Sequence, residues 1–263
     1  MTIFNIELFG ITIAPSYYGL MYALGFIFGY WLIKNRIYIN KKNILKPSTD
    51  WKIGDFMDSL LFYIFFGVVI GGRLGYVIFY NFSNFLSNPL DILKVWEGGM
   101  SFHGGIIGVT IAMILFSKRQ KISFYKLADQ VSLVVPIGLG LGRIGNYLNK
   151  ELLGFGEYYG PLAVKTNSGS YFPSPLVELF LEGIVLFIIL NLVYKYKKLK
   201  NGQIASLLLI LYGIFRILVE AIFREPDAHI GYILNYFTLG EIYSLPMIII
   251  GIYFYIKLGT KKS

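Results

Sequence analysis

The 263-residue chain contains no cysteine and only two histidines, His103 and His229. A chain without cysteine forms no disulfide, carries no thiolate nucleophile and binds no cysteine-ligated metal. Two histidines are also too few for a metal site built from imidazole ligands. The composition therefore excludes disulfide-stabilised and thiol-dependent proteins, and it leaves the chemistry of any active site to other side chains.

Charge is scarce as well, because 15% of the residues are charged and 56% are hydrophobic. Soluble domains carry about 25% charged residues. Apolar runs of about 20 residues, the length of a helix that crosses a bilayer, recur along the chain. The sequence predicts an all-α integral membrane protein with about seven transmembrane helices. The predicted spans are residues 15–33, 56–80, 100–116, 127–147, 174–194, 203–222 and 237–256.

Lysine and arginine are distributed unevenly between the predicted loops. Seventeen of the 24 basic residues lie in the loops after spans one, three and five and in the C-terminal tail. Such residues accumulate on the cytoplasmic side of membrane proteins. The pattern predicts an outer N-terminus and a cytoplasmic C-terminus. The membrane topology also accounts for the net charge of +9, so no nucleic acid is expected as a partner. The remaining loops contain Lys94, Lys150, Lys165 and Arg224.

Two segments, 81–99 and 148–172, are predicted to lie on the outer face as loops that cap a single polytopic domain, residues 1–263. The first is rich in Asn, Phe and Leu, which favours an amphipathic segment at the membrane interface. Residues 155–172 combine Gly, Tyr, Ser, Thr and Pro, and they fit either an ordered cap or a flexible lip. The chain has no internal repeat of the kind found in many transporters.

Polar groups within the predicted spans gather at one depth. A charged side chain inside a bilayer is costly unless it faces protein or water, so each is a functional candidate. Glu182 lies nearer the middle of its span than the others. Asp55, Asp58 and Asp129 lie at inner ends. The topology places the others at the outer ends of the spans: Arg73, His103, Arg143, Asn146, Asn149, Glu178, Arg216 and Glu220. Their shared depth predicts a single site.

Four polar side chains recur every four residues in the sixth span: Tyr212, Arg216, Glu220 and Arg224. This spacing places them on one face of a helix. A structural interpretation is an i, i+4 ion pair that allows both charged side chains to be buried. A functional interpretation is that this face lines the site, and the spacing alone leaves both open.

Three other polar residues each have a structural alternative. Arg73 lies between Gly72 and Gly75, where small residues allow close helix packing. Asp129 lies near a predicted helix start and is expected to act as a cap. His103 is flanked by glycines and is either a structural histidine or a neutral imidazole that accepts a proton from a nucleophile.

Arginines held away from bulk water bind anions, and a guanidinium binds phosphate through two parallel hydrogen bonds. At the depth of the outer ends of the spans, the anion that such arginines would meet is the phosphate of a phospholipid headgroup. The chain has no G-x-S-x-G element for serine hydrolysis and no aspartate cluster for Mg²⁺. The residues favour a metal-free reaction at a phospholipid headgroup. The alternative is a transporter or lipid-binding protein, which predicts charged groups along a path through both leaflets.

The segment Gly142–Gly154 resembles the signature G-R-x-G-N-x-x-N-x-E-x-x-G of the bacterial prolipoprotein diacylglyceryl transferases, with every fixed position matched. Four other segments are similar to that family in the same order: 18–22, 71–76, 96–105 and 212–220. The resemblance covers nearly the whole chain. The seven-span, N-outside topology of the family agrees with the charge pattern.

The resemblance implies an enzyme of the bacterial cytoplasmic (inner) membrane with its active site toward the outer leaflet. It implies transfer of diacylglyceryl from phosphatidylglycerol to the lipobox cysteine thiol of a preprolipoprotein signal peptide. A thioether forms and glycerol phosphate leaves. No cofactor is implied, and a chain without cysteine fits the reaction because the thiol belongs to the substrate.

The same resemblance implies roles for individual residues. Arg143 and Arg216 hold the phosphate of phosphatidylglycerol. Glu220 orients Arg216, and His103 is the candidate base for the thiol. Further predicted substrate-binding residues are Tyr18, Arg73, Asn146, Glu151, Gly154 and Tyr212.

Two positions depart from the family pattern. Many members have His-Pro-Ser-x-x-Tyr-Glu before span five, whereas this chain has Phe172 in place of the histidine and Val177 in place of the tyrosine. Any role of that histidine and tyrosine is therefore absent here or supplied by other residues.

Overall fold

The structure is a computed structural model that describes residues 6–8, 11–13, 17–39, 53–80, 82–95, 98–224 and 238–260. Its helices are α1 (Tyr17–Ile39), α2 (Ile53–Tyr80), α3 (Phe82–Ser87), α4 (Phe102–Arg119), α5 (Phe124–Ser132), α6 (Val135–Asn149), α7 (Ser174–Glu178), α8 (Leu186–Tyr196), α9 (Gln203–Phe223) and α10 (Leu239–Thr260). A 3₁₀ turn covers Pro89–Leu93, and a π-helix, Leu179–Val185, joins α7 to α8. Two antiparallel hairpins pair β1 (Ile6–Leu8) with β2 (Ile11–Ile13), and β3 (Val164–Thr166) with β4 (Gly169–Tyr171). Some residues of the charge pattern and the resemblance lie outside the described residues: Lys41, Lys42, Lys46, Lys52, Trp96, Glu97, His229, Lys261 and Lys262.

Helices occupy all seven predicted spans. Within the described ranges, four are long and apolar enough to cross a membrane, and the bent pair α5–α6 is a fifth candidate if it forms one span. The four are Gly54–Phe79, Ser174–Tyr196, Gln203–Phe223 and Gly240–Thr260. Large apolar side chains on these helices are exposed, among them Phe62, Ile188 and Ile249. Apolar surface of this kind is typical of helices that face lipid. The chain is thus a mostly helical membrane protein.

The fourth predicted span, 127–147, consists of two helices. α5 and α6 are separated by a short break and bent by 43°. Pro136 explains the break, because it has no N–H to donate to the carbonyl of Ser132 and its ring clashes with that carbonyl. At the bend, the carbonyl of Leu133 accepts a hydrogen bond from Asn191 Nδ2 at 3.2 Å. The prediction of one continuous helix here was wrong.

The chain divides into two compact units: Lys34–Ala128 is the first, and Met1–Ile33 with Asp129–Ser263 is the second. In the first unit, α2 and α4 pack backbone against backbone. A Cβ added at Gly71 would lie 2.6 Å from Gly108 Cα, which is closer than real side chains approach. The contact uses small residues four positions apart on both helices. They are Gly67, Gly71, Gly75, Gly104 and Gly108.

The second unit has a core of buried side chains from the bend and from α8 and α9: Leu133, Leu186, Leu190, Ile204 and Tyr212. Asp129 lies at its edge. The Asp129 carboxylate accepts from Gly202 N at 2.7 Å and from Ala205 N at 2.9 Å, two of the N–H groups that a helix start leaves unpaired. Asp129 therefore caps α9. The prediction that it caps the start of its own helix was wrong, because Asp129 lies inside α5.

The two segments predicted to lie on the outer face differ in content. Of 81–99, the structure describes α3 and the 3₁₀ turn. The other segment contains the β3–β4 hairpin, in which Val164 is opposite Tyr171. Ser170 Oγ in β4 donates to the carbonyl of Tyr158 at 2.6 Å, which ties the hairpin to the preceding loop. That both segments cap the outer face of a single domain remains a prediction.

Candidate active site

Three arginines and three glutamates converge in the second unit. Their side chains are no more than 15% exposed, and their formal charges cancel. Burying charge is unfavourable unless each charged group meets a partner in good geometry, so mutual pairing allows six of them to share one apolar environment. We call this group the arginine–glutamate cluster. Its members are Arg143 of α6, Glu178 of α7, Glu182 of the π-helix, Arg216 and Glu220 of α9, and Arg224 directly after α9.

Glu178 contacts all three arginines. Arg143 Nε lies 2.7 Å from its Oε2, and Arg216 Nη1 donates to its Oε1 at 2.6 Å. Arg224 Nη1 lies 3.6 Å from the same Oε1. The carboxylate is fully buried, with 0% exposure, so water does not screen these ion pairs. Arginines from two different helices are thereby held on opposite oxygens of one carboxylate.

Glu182 binds Arg143 more closely than Arg216. Arg143 donates to its Oε2 from Nε at 3.3 Å and from Nη2 at 3.1 Å, whereas Arg216 Nη1 lies 3.9 Å from its Oε1. Among the described residues, Glu182 Oε1 accepts no hydrogen bond. Glu178 Oε2 accepts none with good geometry although Arg143 Nε is close. Buried oxygens left this way are rare in folded proteins.

The polar face of α9 consists of consecutive ion pairs. Arg216 Nη2 donates to Glu220 Oε1, and Arg224 Nη1 donates to the same oxygen at 2.8 Å. The i, i+4 interpretation of this spacing is confirmed. Both arginines also contact Glu178 on another element, so the face lines the cluster as well. Gly240 leaves room for the carboxylate, because a Cβ there would lie 2.5 Å from Glu220 Oε1.

The signature segment connects to the cluster through hydrogen bonds. Glu151 N donates to the carbonyl of Asn146 at 2.8 Å, and Asn146 Nδ2 donates to Glu151 Oε2 at 3.4 Å. Asn146 Oδ1 in turn accepts from Arg143 Nη1 at 3.4 Å. These contacts form a chain from Glu151 through Asn146 to Arg143, so the turn after α6 helps to fix the guanidinium.

The same turn has an unusual backbone. Lys150 and Leu152 have φ values of 59° and 54°, a left-handed conformation that costs a residue with a side chain roughly 1–3 kcal/mol. Ser174 Oγ donates to the carbonyl of Leu152 at 2.9 Å, which joins the turn to the start of α7. A Cβ at Gly154 would collide with the carbonyl of Phe223, so this position requires glycine. The signature therefore encodes a strained turn docked on α7 and α9.

The two predicted tyrosines lie in the same unit as the cluster. Tyr18 packs on α6, because a Cβ at Gly145 would lie 3.0 Å from its ring. Its hydroxyl accepts a hydrogen bond from Tyr22 at 3.3 Å. Tyr212 is buried in the core, one turn before Arg216 on α9.

An apolar groove of about 260 Å³ lies beside the cluster, between α6 and the π-helix. One wall runs from Pro136 to Ile144 and the other from Leu179 to Phe187, and every lining residue is apolar. Its α6 wall extends to Ile144, the residue that follows Arg143. The molecule thus places a cluster that contains three arginines next to a surface that suits hydrocarbon.

Arg73 lies in the first unit and has a different set of partners. Its guanidinium donates to four backbone carbonyls, those of Asp91, Ile92, Gly98 and Gly99. The residue is buried. These contacts hold the loop before α4 in place, and they account for most of the five N–H donors of the guanidinium. The predicted contact of Arg73 with substrate remains a prediction.

His103 is the second residue of α4 and is exposed. The helix start is capped by Ser101, whose Oγ accepts from Gly104 N at 3.3 Å. His103 belongs to the first unit, whereas the arginine–glutamate cluster belongs to the second. The base role of His103 therefore stays a prediction.

Sequence reasoning identified Arg143, Arg216 and Glu220 as site residues, and the structure brings all three together. It grouped Glu178 with them by depth and placed Arg224 on the same face of the sixth span, but it assigned no role to Glu178, Glu182 or Arg224. The available signal was the i, i+4 spacing of two glutamates in an apolar span, since two such carboxylates require cationic partners. Among the residues that the structure describes, no three His, Asp or Glu side chains are arranged to hold a metal ion.

Comparison with known proteins identifies the family. Residues 4–257 match the model of the family described as prolipoprotein diacylglyceryl transferase. The chain is similar to the phosphatidylglycerol–prolipoprotein diacylglyceryl transferase of Pasteurella multocida (strain Pm70), with 49% identity over 243 residues, 91% of this chain and 86% of that protein. The protein of the same name from Proteus mirabilis (strain HI4320) is 44% identical over 267 residues, 92% of this chain and 87% of that protein. The one from Escherichia coli O1:K1 / APEC is 43% identical over 265 residues, 91% and 88% respectively. The chain belongs to the prolipoprotein diacylglyceryl transferase family.

Proposed function

We propose that this protein transfers the diacylglyceryl group of phosphatidylglycerol to the lipobox cysteine of a prolipoprotein, the first step of lipoprotein maturation. The cysteine sulfur attacks the carbon of the diacylated glycerol that carries the phosphate. A C–S bond forms there as the C–O bond to the phosphate breaks. The thiol proton passes to a base, and glycerol phosphate leaves with the bonding electrons. The observation that carries the proposal is the meeting of Arg143 and Arg216 on one buried carboxylate, in a chain of this family.

The cluster supplies the chemistry that the leaving group requires. Arg143 and Arg216 bind the phosphate and stabilise the negative charge that develops on it as the C–O bond breaks. Glu220 orients Arg216 through its ion pair. The apolar groove beside Arg143 suits a lipid tail, so one phospholipid can place its phosphate at the arginines and its hydrocarbon along α6.

The remaining predicted residues also have proposed roles. His103 accepts the thiol proton, and an exposed imidazole is accessible for that role. Asn146 and Glu151 hold Arg143 through the signature turn. Direct contacts with substrate are proposed for Tyr18, Asn146, Glu151, Gly154 and Tyr212. For Arg73 we propose a structural role instead of the predicted substrate contact, because four backbone carbonyls take up its donors.

We place the protein in the bacterial cytoplasmic (inner) membrane, with seven spans, an outer N-terminus and a cytoplasmic C-terminus. The helices found in all seven predicted segments support this arrangement, and so does the excess of lysine and arginine in alternate loops. With this topology the outer ends of α6 and α9 place the cluster in the outer leaflet, within reach of a lipobox cysteine that has crossed the membrane.

The experiment that tests the function uses the purified full-length protein, vesicles containing phosphatidylglycerol, and a synthetic peptide with a lipobox cysteine. Mass spectrometry should show a peptide heavier by one diacylglyceryl group, together with free glycerol phosphate. A peptide with serine in place of cysteine and vesicles of phosphatidylcholine alone serve as controls. Absence of the thioether product with wild-type protein would refute the proposed function.

A further inference from the structure

We infer that Glu178 is a positioning residue for this reaction: its carboxylate sets the separation and orientation of Arg143 and Arg216 so that both guanidiniums reach one phosphate. The inference rests on the proposed function. It concerns how the site is assembled, and it gives a task to a side chain that the signature does not contain.

The first support is geometric. Arg143 and Arg216 belong to different helices, and Glu178 holds each at ion-pair distance, 2.7 Å and 2.6 Å, on opposite oxygens. Because one carboxylate binds both guanidiniums, the distance between the guanidiniums is set by the distance between its two oxygens. Two oxygens of one phosphate are similarly spaced, so a phosphate fits the same two side chains.

The second support is the rigidity of Glu178 itself. It is fully buried at the end of α7, and α7 is docked on the signature turn through Ser174 Oγ and the carbonyl of Leu152. The π-helix that follows packs closely on α6, because a Cβ at Gly183 would lie 2.9 Å from Gly140 Cα. The backbone that carries the carboxylate is therefore held on both sides. Glu178 is thus able to impose its geometry on two long side chains.

The third support is the difference between Glu178 and Glu182. Both are fully buried and both contact Arg143. Glu182 lies 3.9 Å from Arg216, whereas Glu178 lies 2.6 Å away and also contacts Arg224. Removing either carboxylate takes one negative charge from the cluster, but only the loss of Glu178 removes the strong bridge between the two helices.

This difference defines the test. Glu178→Gln keeps the shape of the side chain and removes its charge, and Glu182→Gln makes the same change without breaking the bridge. Glu157→Gln, at an exposed position in the loop before the β3–β4 hairpin, is the matched control and should behave as wild type. All four proteins are assayed for kcat and for KM toward phosphatidylglycerol with the lipobox peptide, and their folded state is checked by thermal unfolding.

We expect kcat of Glu178→Gln to fall by about 100-fold, the effect of misplacing a catalytic group by about 1 Å. KM should stay within about threefold of wild type, because the loss of one negative charge favours phosphate binding while misalignment affects chiefly the transition state. The fall in kcat should be about tenfold smaller for Glu182→Gln. A merely structural role would lower the folded fraction and leave kcat per folded molecule unchanged.

Two results would overturn the inference while wild-type protein remains active: unchanged kcat in Glu178→Gln, or an equal fall of kcat in both glutamine variants. Unchanged kcat with a lower KM would show that Glu178 competes with the phosphate. If Glu178→Gln does not fold, Glu178→Asp is tested instead, because it keeps the negative charge on a side chain that is shorter by one methylene group. Its kcat should then fall by about tenfold or more, and wild-type kcat would contradict the inference. Inactive wild-type protein would instead refute the proposed function, and the inference with it.

Discussion

The two compact units each bury arginine, and they satisfy it in opposite ways. Arg73 of the first unit donates to four backbone carbonyls of one loop. Arg143 and Arg216 of the second unit face carboxylates on other helices. Backbone carbonyls are neutral and fixed by the fold, so an anionic substrate does not replace them as partners of Arg73. Carboxylates are anions, and a guanidinium that donates to a carboxylate is also able to donate to a phosphate. The type of partner therefore separates a structural arginine from one suited to a substrate.

The two units also differ in how their helices pack. The α2–α4 contact runs through five glycines and leaves no room for a side chain between the backbones. In the second unit, α6 meets the π-helix at Gly140 and Gly183, and an apolar groove lies beside that contact. The described helix contact of the first unit is thus closed along its length, whereas that of the second has a groove beside it. We therefore expect activity to depend chiefly on the arginines of the second unit and stability on the helix packing of the first.

The largest effect on activity is expected from Arg143→Lys. Lysine keeps the charge but cannot bridge two acceptors as a planar guanidinium does, so the phosphate loses part of its stabilisation in the transition state. We expect kcat/KM for thioether formation to fall by about 10²–10³-fold, with the melting temperature little changed because the charge balance of the cluster is kept. Arg73→Lys is the matched control in the other unit and should lose far less activity. Equal losses in both variants would break the comparison.

The sequence predicted the arginines but not this division between them, and the reasons are physical. Arg143 and Arg216 were predicted because charge inside an apolar span requires a partner, and that rule is local. Depth alone grouped Arg73 with them, because hydropathy does not report whether the partner is a carbonyl or a carboxylate. That Glu178 bridges two helices depends on how α6, α7 and α9 are rotated against one another. Such contacts between distant segments leave no periodic pattern in the chain.

The helices themselves were predicted more fully than their irregularities. All seven segments are helical, and the predicted span 203–222 closely matches α9 (Gln203–Phe223). The break at Pro136 was missed although proline is a local signal, because the apolar run continues through it. The π-helix was missed because an added residue per turn leaves hydropathy unchanged. The β3–β4 hairpin lies in a segment for which two interpretations were open.

The largest effect on stability is expected from Gly108→Ala. The added methyl group would collide with the carbonyl of Gly67 and lie 2.7 Å from Gly71 Cα, so α2 and α4 must move apart. Overpacking of this kind costs typically 1–3 kcal/mol, visible as a lower midpoint in thermal unfolding of the detergent-solubilised protein. Gly105→Ala, on the same helix with its nearest atom 4.0 Å away, is the control and should leave the midpoint near wild type. A loss of stability in Gly105→Ala as large as that in Gly108→Ala would contradict the glycine contact as the cause, because alanine favours a helix more than glycine does.

A smaller loss of stability is expected from Arg73→Lys. Lysine has three donors and no fork, so part of the four-carbonyl arrangement is lost, at a cost of about 1–2 kcal/mol. Thermal unfolding should report the loss, while kcat of the folded protein should stay within about threefold. The test sharpens the comparison because the substitution is the one made at Arg143. A large fall in kcat with unchanged stability would move Arg73 from the structural group to the substrate-binding group.

The smallest effect is expected from Phe172→His, which restores the residue that many family members have at this position. Phe172 is the middle ring of three, stacked on Phe155 at 4.9 Å and on Phe223 at 5.2 Å between centroids. Replacing the ring with imidazole weakens both stacks by about 0.5–1.5 kcal/mol in total. The backbone contacts remain, since Phe172 joins the signature turn through its carbonyl, which accepts from Gly154 N at 2.8 Å. We therefore expect a slightly lower unfolding midpoint and unchanged kcat. A gain in kcat would show that the histidine has a chemical role that this chain lacks, and that the second unit carries its function through more than its arginines and glutamates.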